Sequence, residues 1–195
     1  MNAMSFRSLF LAIVLTSAAR TDLFVSSFDQ NSVRRFGENT GAFLNTFIAA
    51  GSGGLSAPRR AVFGPDGNFY VASANTDQVP RYSGTTGAFL GVFASSPQLD
   101  YPVDLIFAGD GNLNVANGSA NAVTRFNGTT GAFIDNFVSA GSSGLSLPIG
   151  LEFGPDNSLY VASFNTDIIE RYNGATGASL GDFKLSAWLG AVDSE

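Results

Sequence analysis

The 195-residue chain is 45% apolar and only 13% charged, a composition that places it among folded proteins and not disordered ones. A net charge of −6, with no basic cluster to offset it, argues against partners such as nucleic acid or an anionic membrane surface. With no cysteine and no histidine, the sequence excludes disulfides, thiolate nucleophiles, Ser-His-Asp and Cys-His machinery and histidine zinc sites.

The chain opens with an apolar run, Ser8 to Thr16, preceded by Arg7 and followed by Ser17-Ala18-Ala19. A basic start, an apolar centre and small residues at the end are the pattern of a signal peptide over residues 1–19. That pattern predicts a secreted protein, extracellular or periplasmic, with a bacterial cell surface as one destination. The run is too short to span a bilayer, which takes about 20 apolar residues. A second reading is structural. Shifting the chain by 46 residues lays Ala12 to Thr16 onto Pro58 to Val62, so the run also fits the first inner strand of a repeat array.

Residues 20–195 read as one repeat domain. Phe63-Gly64-Pro65-Asp66-Gly67-Asn68 recurs 44 residues later from Phe107 and 46 residues after that from Phe153. The units run from about 22–57, 58–101, 102–147 and 148–183, with a tail at 184–195, and the first unit lacks its opening strand unless the apolar run supplies it. In the second unit, Arg59 to Phe63 predicts a strand, and Gly64-Pro65-Asp66-Gly67 a turn. Further strands follow at Asn68 to Ser73, Gln78 to Tyr82 and Ala88 to Phe93, separated by Asn75-Thr76-Asp77 and Ser83-Gly84-Thr85-Thr86-Gly87.

Four antiparallel strands in roughly 45 residues is the spacing of a β-propeller blade, and it fits better than a sandwich or an open solenoid. The fold class is therefore all-β, with about four four-stranded blades, in an open or truncated ring. One blade cannot bury its own faces, so recurring apolar positions should pack between neighbours. They are Phe47, Phe93, Phe137 and Phe183; Phe63, Phe107 and Phe153; and Val25, Val71, Val115 and Val161. Blade faces left uncovered would favour self-association. In the tail, Leu189 to Val192 fits loosely where an inner strand would recur, which leaves closure of a small ring and the stub of a fifth blade as alternatives.

Other positions recur in every unit, as architecture must. Arg35, Arg81, Arg125 and Arg171 each precede an aromatic residue and fit solvated arginines beside carboxylates. Asn31, Asp77, Asn121 and Asp167 fit turn caps better than calcium ligands, because no loop reaches the carboxylate count of a calcium cage. The Thr-Gly-Ala turns are hairpin glycines, without the following helix that a phosphate cradle needs.

Chemistry needed once should sit where the copies disagree. On the inner strands Arg60 aligns with Asp104 and Gly150, and Glu152 aligns with Val62 and Ile106. Alternation puts Arg60, Asp104 and Glu152 on one face, opposite Ala61, Leu105 and Leu151. These three are the candidate binding residues, at the central channel of a propeller. Their structural explanation is an ion pair between neighbouring strands, Arg60 with Asp104.

The proline, apolar strand, Gly-Pro-Asp-Gly-Asn turn, Tyr-Val strand, polar loop and Arg-aromatic pair together resemble NHL-type repeats. The wider group is the gluconolactonase-like and virginiamycin B lyase-like propellers, and the likeness covers residues 22 to about 183. The resemblance implies a ring of six or seven blades, where this chain holds four at most. It also implies that a channel calcium, held by acidic and amide residues, does the chemistry in gluconolactonase-like members; only Asp104 and Glu152 are candidates for that role. Lyase-like members depend on a histidine that is missing here. The leading expectation is thus a secreted, non-enzymatic binding or scaffold module without a cofactor, taking a small-molecule, glycan or protein ligand. The competing one is a calcium-dependent lactonase- or lyase-like enzyme.

Overall fold

The computed structural model describes residues 22–183 and the backbone of residues 13–14. Four four-stranded antiparallel sheets follow one another along the chain. The first holds β1 (Ile13–Val14), β2 (Asp22–Ser27), β3 (Ser32–Gly37) and β4 (Phe43–Ile48). The second holds β5 (Pro58–Phe63), β6 (Phe69–Ser73), β7 (Gln78–Tyr82) and β8 (Phe89–Ser95). The third holds β9 (Pro102–Phe107), β10 (Leu113–Asn117), β11 (Ala122–Phe126) and β12 (Phe133–Val138). The fourth holds β13 (Pro148–Phe153), β14 (Ser158–Ser163), β15 (Ile168–Asn173) and β16 (Ser179–Asp182). The strand order in every sheet is a simple meander, and the connections within residues 22–183 carry the turn chemistry that reverses a strand. Asp66, for example, accepts hydrogen bonds from the Asn68 amide at 3.0 Å and from its side chain at 2.7 Å, which closes the turn between β5 and β6.

The first unit does not lack its opening strand. Ile13 stands opposite Val25 and Val14 opposite Phe24, in the place that β5, β9 and β13 take in the other blades. The remainder of the signal reading, residues 1–12 and 15–19, lies outside the described residues. So does the tail at 184–195, with the strand expected at Leu189 to Val192.

Three apolar cores lie between successive blades. The first joins Phe24, Val33 and Phe47 of blade 1 to Ala61, Phe69, Val71 and Tyr82 of blade 2. The second joins Tyr70, Ala72 and Val79 of blade 2 to Leu105, Leu113, Val115 and Phe126 of blade 3. The third repeats the arrangement between blades 3 and 4, with Phe137 and Val138 against Leu151, Leu159, Val161 and Tyr172. Aromatic residues meet edge to face in groups that span the interface. Phe24, Phe47 and Phe63 form one such group, with centroids 4.7 and 5.3 Å from Phe24; Tyr70, Phe93 and Phe107 form another, at 4.9 and 5.1 Å from Tyr70. At the inner interfaces the expected burial is met by Phe47, Phe137, Val71, Val115 and Val161, whereas Phe63, Phe93, Phe107 and Phe153 are half-buried and packed against the cores. The expectation is not met at the two ends, where Val25 is half-buried and Phe183 is 39% exposed.

Two recurring features clasp the blades through the backbone. Asn31, Asp77 and Asn121 are left-handed, with φ of 50°, 53° and 54°. Each accepts a 2.8 Å hydrogen bond through Oδ1 from an amide at the entry to the next blade: Ala57, Tyr101 and Leu147. They are turn residues, as expected, but their bonds hold neighbouring blades together. The Thr-Gly-Ala glycines also do more than turn a hairpin. A Cβ on Gly87 would lie 1.9 Å from the Phe47 carbonyl oxygen of the preceding blade. On Gly131 and Gly177 it would lie 1.7 Å from the Phe93 and Phe137 oxygens. Only a residue without a side chain lets these backbones meet.

Three of the four recurring arginines pair with carboxylates; Arg171 makes no such pair among the described residues. Arg125 bonds Asp135 at 2.6 Å, Arg81 lies 3.9 Å from Asp66, and Arg35 bonds Asp22. Each also lies over the phenylalanine of its own blade, Phe24, Phe93 or Phe137. They are spent on the fold.

Candidate binding site on the inner strands

The inner strands β5, β9 and β13 bring Arg60, Asp104 and Glu152 to one cavity of about 250 Å3, whose wall is completed by Leu151, Tyr160 and Ile169. Strand alternation explains the convergence: Ala61, Leu105 and Leu151 face the inter-blade cores, so their neighbours face the other way. Gly150 stands where Arg60 and Asp104 stand in blades 2 and 3. A Cβ there would be 4.0 Å from Asp104 Oδ2, so this missing side chain opens part of the space.

Asp104 is the buried member, 4% exposed. Its Oδ1 accepts the Leu105 amide at 2.7 Å, and its Oδ2 accepts the Leu151 amide of the next blade at 2.8 Å. Arg60 Nε lies 3.7 Å from Oδ1, an ion pair without a hydrogen bond. One carboxylate therefore ties the inner strands of blades 2, 3 and 4. Burial pushes the Asp104 carboxyl above its ordinary value, against the pull of Arg60 and the two amides; Glu152 adds to the push. The ion pair expected between neighbouring inner strands is present. Glu152 is exposed at the cavity mouth.

A calcium ion takes six to eight oxygen ligands. Asp104 has both oxygens committed to amides and a guanidinium beside it, which leaves Glu152 as the one unengaged carboxylate. Among the described residues no group of three Asp or Glu side chains is placed to hold a metal. These residues do not fit the channel calcium of gluconolactonase-like propellers.

Sequence reasoning found the three charged residues because they differ between blades. It missed Tyr160 and Ile169, which recur as Tyr70 and Val79 and so read as core. Tyr70 and Val79 are buried by blade 3, whereas no blade among the described residues covers their equivalents in blade 4.

No protein-family model and no curated protein matches the sequence. Solved structures do match. A catalytically inactive histidine-to-alanine variant of virginiamycin B lyase from Staphylococcus aureus, with quinupristin, superposes at a TM-score of 0.67 with 18% identity, over 89% of this chain and 56% of that one. A streptogramin B lyase matches at 0.65 and 16%, over 84% and 51%. Hydrazine synthase from Kuenenia stuttgartiensis matches at 0.70 and 16%, over 89% and 48%. The chain spans about half the length of the structures it matches. At these identities the likeness establishes architecture: the chain has the fold of virginiamycin B lyase and other β-propellers, in four consecutive four-stranded blades.

Proposed function

We propose that the chain is an exported, non-enzymatic propeller module that binds a small polar ligand at the inner-strand cavity. The observation that carries this reading is the state of Asp104, whose oxygens are held by two backbone amides and an arginine. A carboxylate so engaged positions Arg60 and is poorly placed to move protons or ligate a metal. Arg60 and Glu152 are left to contact a ligand, the first accepting an anionic group and the second a donor or cation. Leu151, Tyr160 and Ile169 supply apolar contact. At about 250 Å3 the cavity lies just below the usual range for drug-sized ligands, and suits something near the size of an amino acid or sugar acid.

The test is a thermal-shift and calorimetric screen of amino acids, hydroxy acids and sugar acids on the wild type and on Arg60→Ala and Glu152→Ala. Binding by the wild type that is lost in both variants, without turnover of any compound, supports the module. Lactone or lyase turnover that disappears in Glu152→Ala, or heat on titration with calcium chloride, would favour the enzyme reading instead. Export rests on Arg7, the apolar run and Ser17-Ala18-Ala19. Cleavage after Ala19 removes β1 from blade 1, so the mass of the protein recovered from a secreting host decides whether blade 1 keeps that strand.

A further inference from the structure

The third and fourth strands of each blade meet at one recurring pair of opposed side chains. Arg34 stands opposite Thr46 in blade 1, Pro80 opposite Val92 in blade 2, Thr124 opposite Asn136 in blade 3 and Glu170 opposite Asp182 in blade 4. Directly opposed residues of an antiparallel pair have Cβ atoms about 4.5–5.5 Å apart, so like charges placed there repel. Among these four pairs, blade 4 alone sets two acids against each other.

Blade 3 shows what the position can do. The buried Thr124 hydroxyl donates to Asn136 Oδ1 at 3.2 Å and accepts from the Asn117 amide at 2.9 Å, which ties the outer strand to the sheet. Two carboxylates cannot repeat this link, because each only accepts. Yet Glu170 is as buried as Thr124, at 0% exposed, and neither of its oxygens meets an N–H or O–H donor. The polar group within hydrogen-bonding reach is the Asp182 carboxyl. A buried carboxylate without a donor, facing a second one, is costly; a proton between them makes a donor and an acceptor.

The surroundings offer no cation. Val161, opposite Glu170 on β14, is apolar, and the neighbouring Ser163 hydroxyl donates to the Ser146 carbonyl. Tyr172, the other titratable group on this face of β15, donates to the Ser142 carbonyl. Residues 139–147, which pack here, include no charged side chain. Arg125 and Asp135, which blade 3 turns toward blade 4, pair with each other at 2.6 Å. By strand alternation Arg171 projects from the opposite face.

We infer that Glu170 and Asp182 share one proton, forming an acid–carboxylate clasp that fastens β16 to blade 4 and opens when that proton leaves. Burial, and then the Asp182 charge, push the Glu170 carboxyl above its ordinary 4.5, the direction the clasp requires. The folded chain therefore holds a proton that the unfolded chain has released. The stability it contributes is full below pH 4.5 and is lost as pH rises through the folded value. The outer strand then keeps its bond between the Ser143 and Ser179 hydroxyls but loses its side-chain tie at Asp182. The clasp is independent of the ligand cavity, which Ile169 lines from the other face of β15.

Carbon-13 titration of the Glu170 side chain in the full chain, with thermal unfolding of wild type and Glu170→Gln, tests this. Glu170 should titrate above pH 4.5 in the wild type and lower in Asp182→Asn, whose amide donates to the carboxylate. Glu170→Gln carries a permanent donor, so it should melt level with the wild type at pH 4.5 and several degrees above it at pH 8. The difference between the two is what counts, because Asp104 is also raised and titrates in both. A Glu170 midpoint at or below 4.5, or the same pH dependence in wild type and Glu170→Gln, would overturn the inference. So would calcium chloride that raises the melting temperature of the wild type at pH 8 but not that of Glu170→Gln, since the pair would then hold a metal ion and not a proton.

Discussion

Tyr70 and Tyr160 occupy the same place in two blades, yet the first is 1% exposed and the second lines an open cavity. Phe126 and Phe36 differ in the same way, fully buried inside the array and half-buried at its start. The blades are near copies, so local sequence does not make the difference; the neighbour does. A propeller blade is a residue set whose burial is completed from outside, and its energetics follow from what it faces.

The largest expected contrast is in the aromatic core. Phe126→Ala should cost about 3–5 kcal/mol by urea unfolding, the range for emptying a packed aromatic site. Phe36→Ala, at the equivalent position in blade 1, where the ring is half-buried, should cost less than half of that. Equal costs would break the comparison. Next comes the carboxylate that ties three inner strands. Asp104→Ala leaves the Leu105 and Leu151 amides without their acceptor, and should cost about 2–3 kcal/mol. Glu152→Ala, exposed at the mouth, should change stability by less than about 0.5 kcal/mol.

The backbone clasp gives a smaller contrast. Asn121→Ala loses the bond to the Leu147 amide and places alanine in a left-handed conformation, for about 1–2 kcal/mol. Asp167→Ala meets only the conformational penalty, because its side chain receives no such amide among the described residues.

Smallest is an alkaline effect. The buried Tyr82 hydroxyl donates to the Ser52 carbonyl of the preceding blade at 2.8 Å, and burial raises it above the ordinary 10.0. A phenol raised in the folded state contributes stability that is full below pH 10 and is lost as pH rises through its folded value. Tyr82→Phe should therefore lower stability by about 1 kcal/mol at neutral pH and make its decline above pH 10 shallower. An unchanged slope in pH-dependent urea unfolding would contradict the assignment.

Much of this architecture is legible in the sequence, because each blade repeats its turn residues and its apolar positions 44 to 46 residues apart. The site was partly legible for the opposite reason: Arg60, Asp104 and Glu152 break the repeat on one face of the inner strands. What the sequence hides is reach. Asn121 is explained locally as a turn residue and Gly87 as a hairpin glycine, so nothing in their own neighbourhoods announces that they hold the adjoining blade. Tyr160 is hidden by resemblance to Tyr70, since a residue that repeats as core reads as core even where no neighbour covers it.

One paired measurement tests the dependence on neighbours most directly: thermal unfolding of Gly87→Ala beside Gly41→Ala. Both glycines have positive φ, 73° and 62°, so the local strain of substitution is shared. Among the described residues only Gly87 has a carbonyl of another blade in the way, 1.9 Å from the added Cβ. The account predicts that Gly87→Ala unfolds many degrees below the wild type, while Gly41→Ala remains folded with a cooperative transition. Equal losses in the two variants would contradict it.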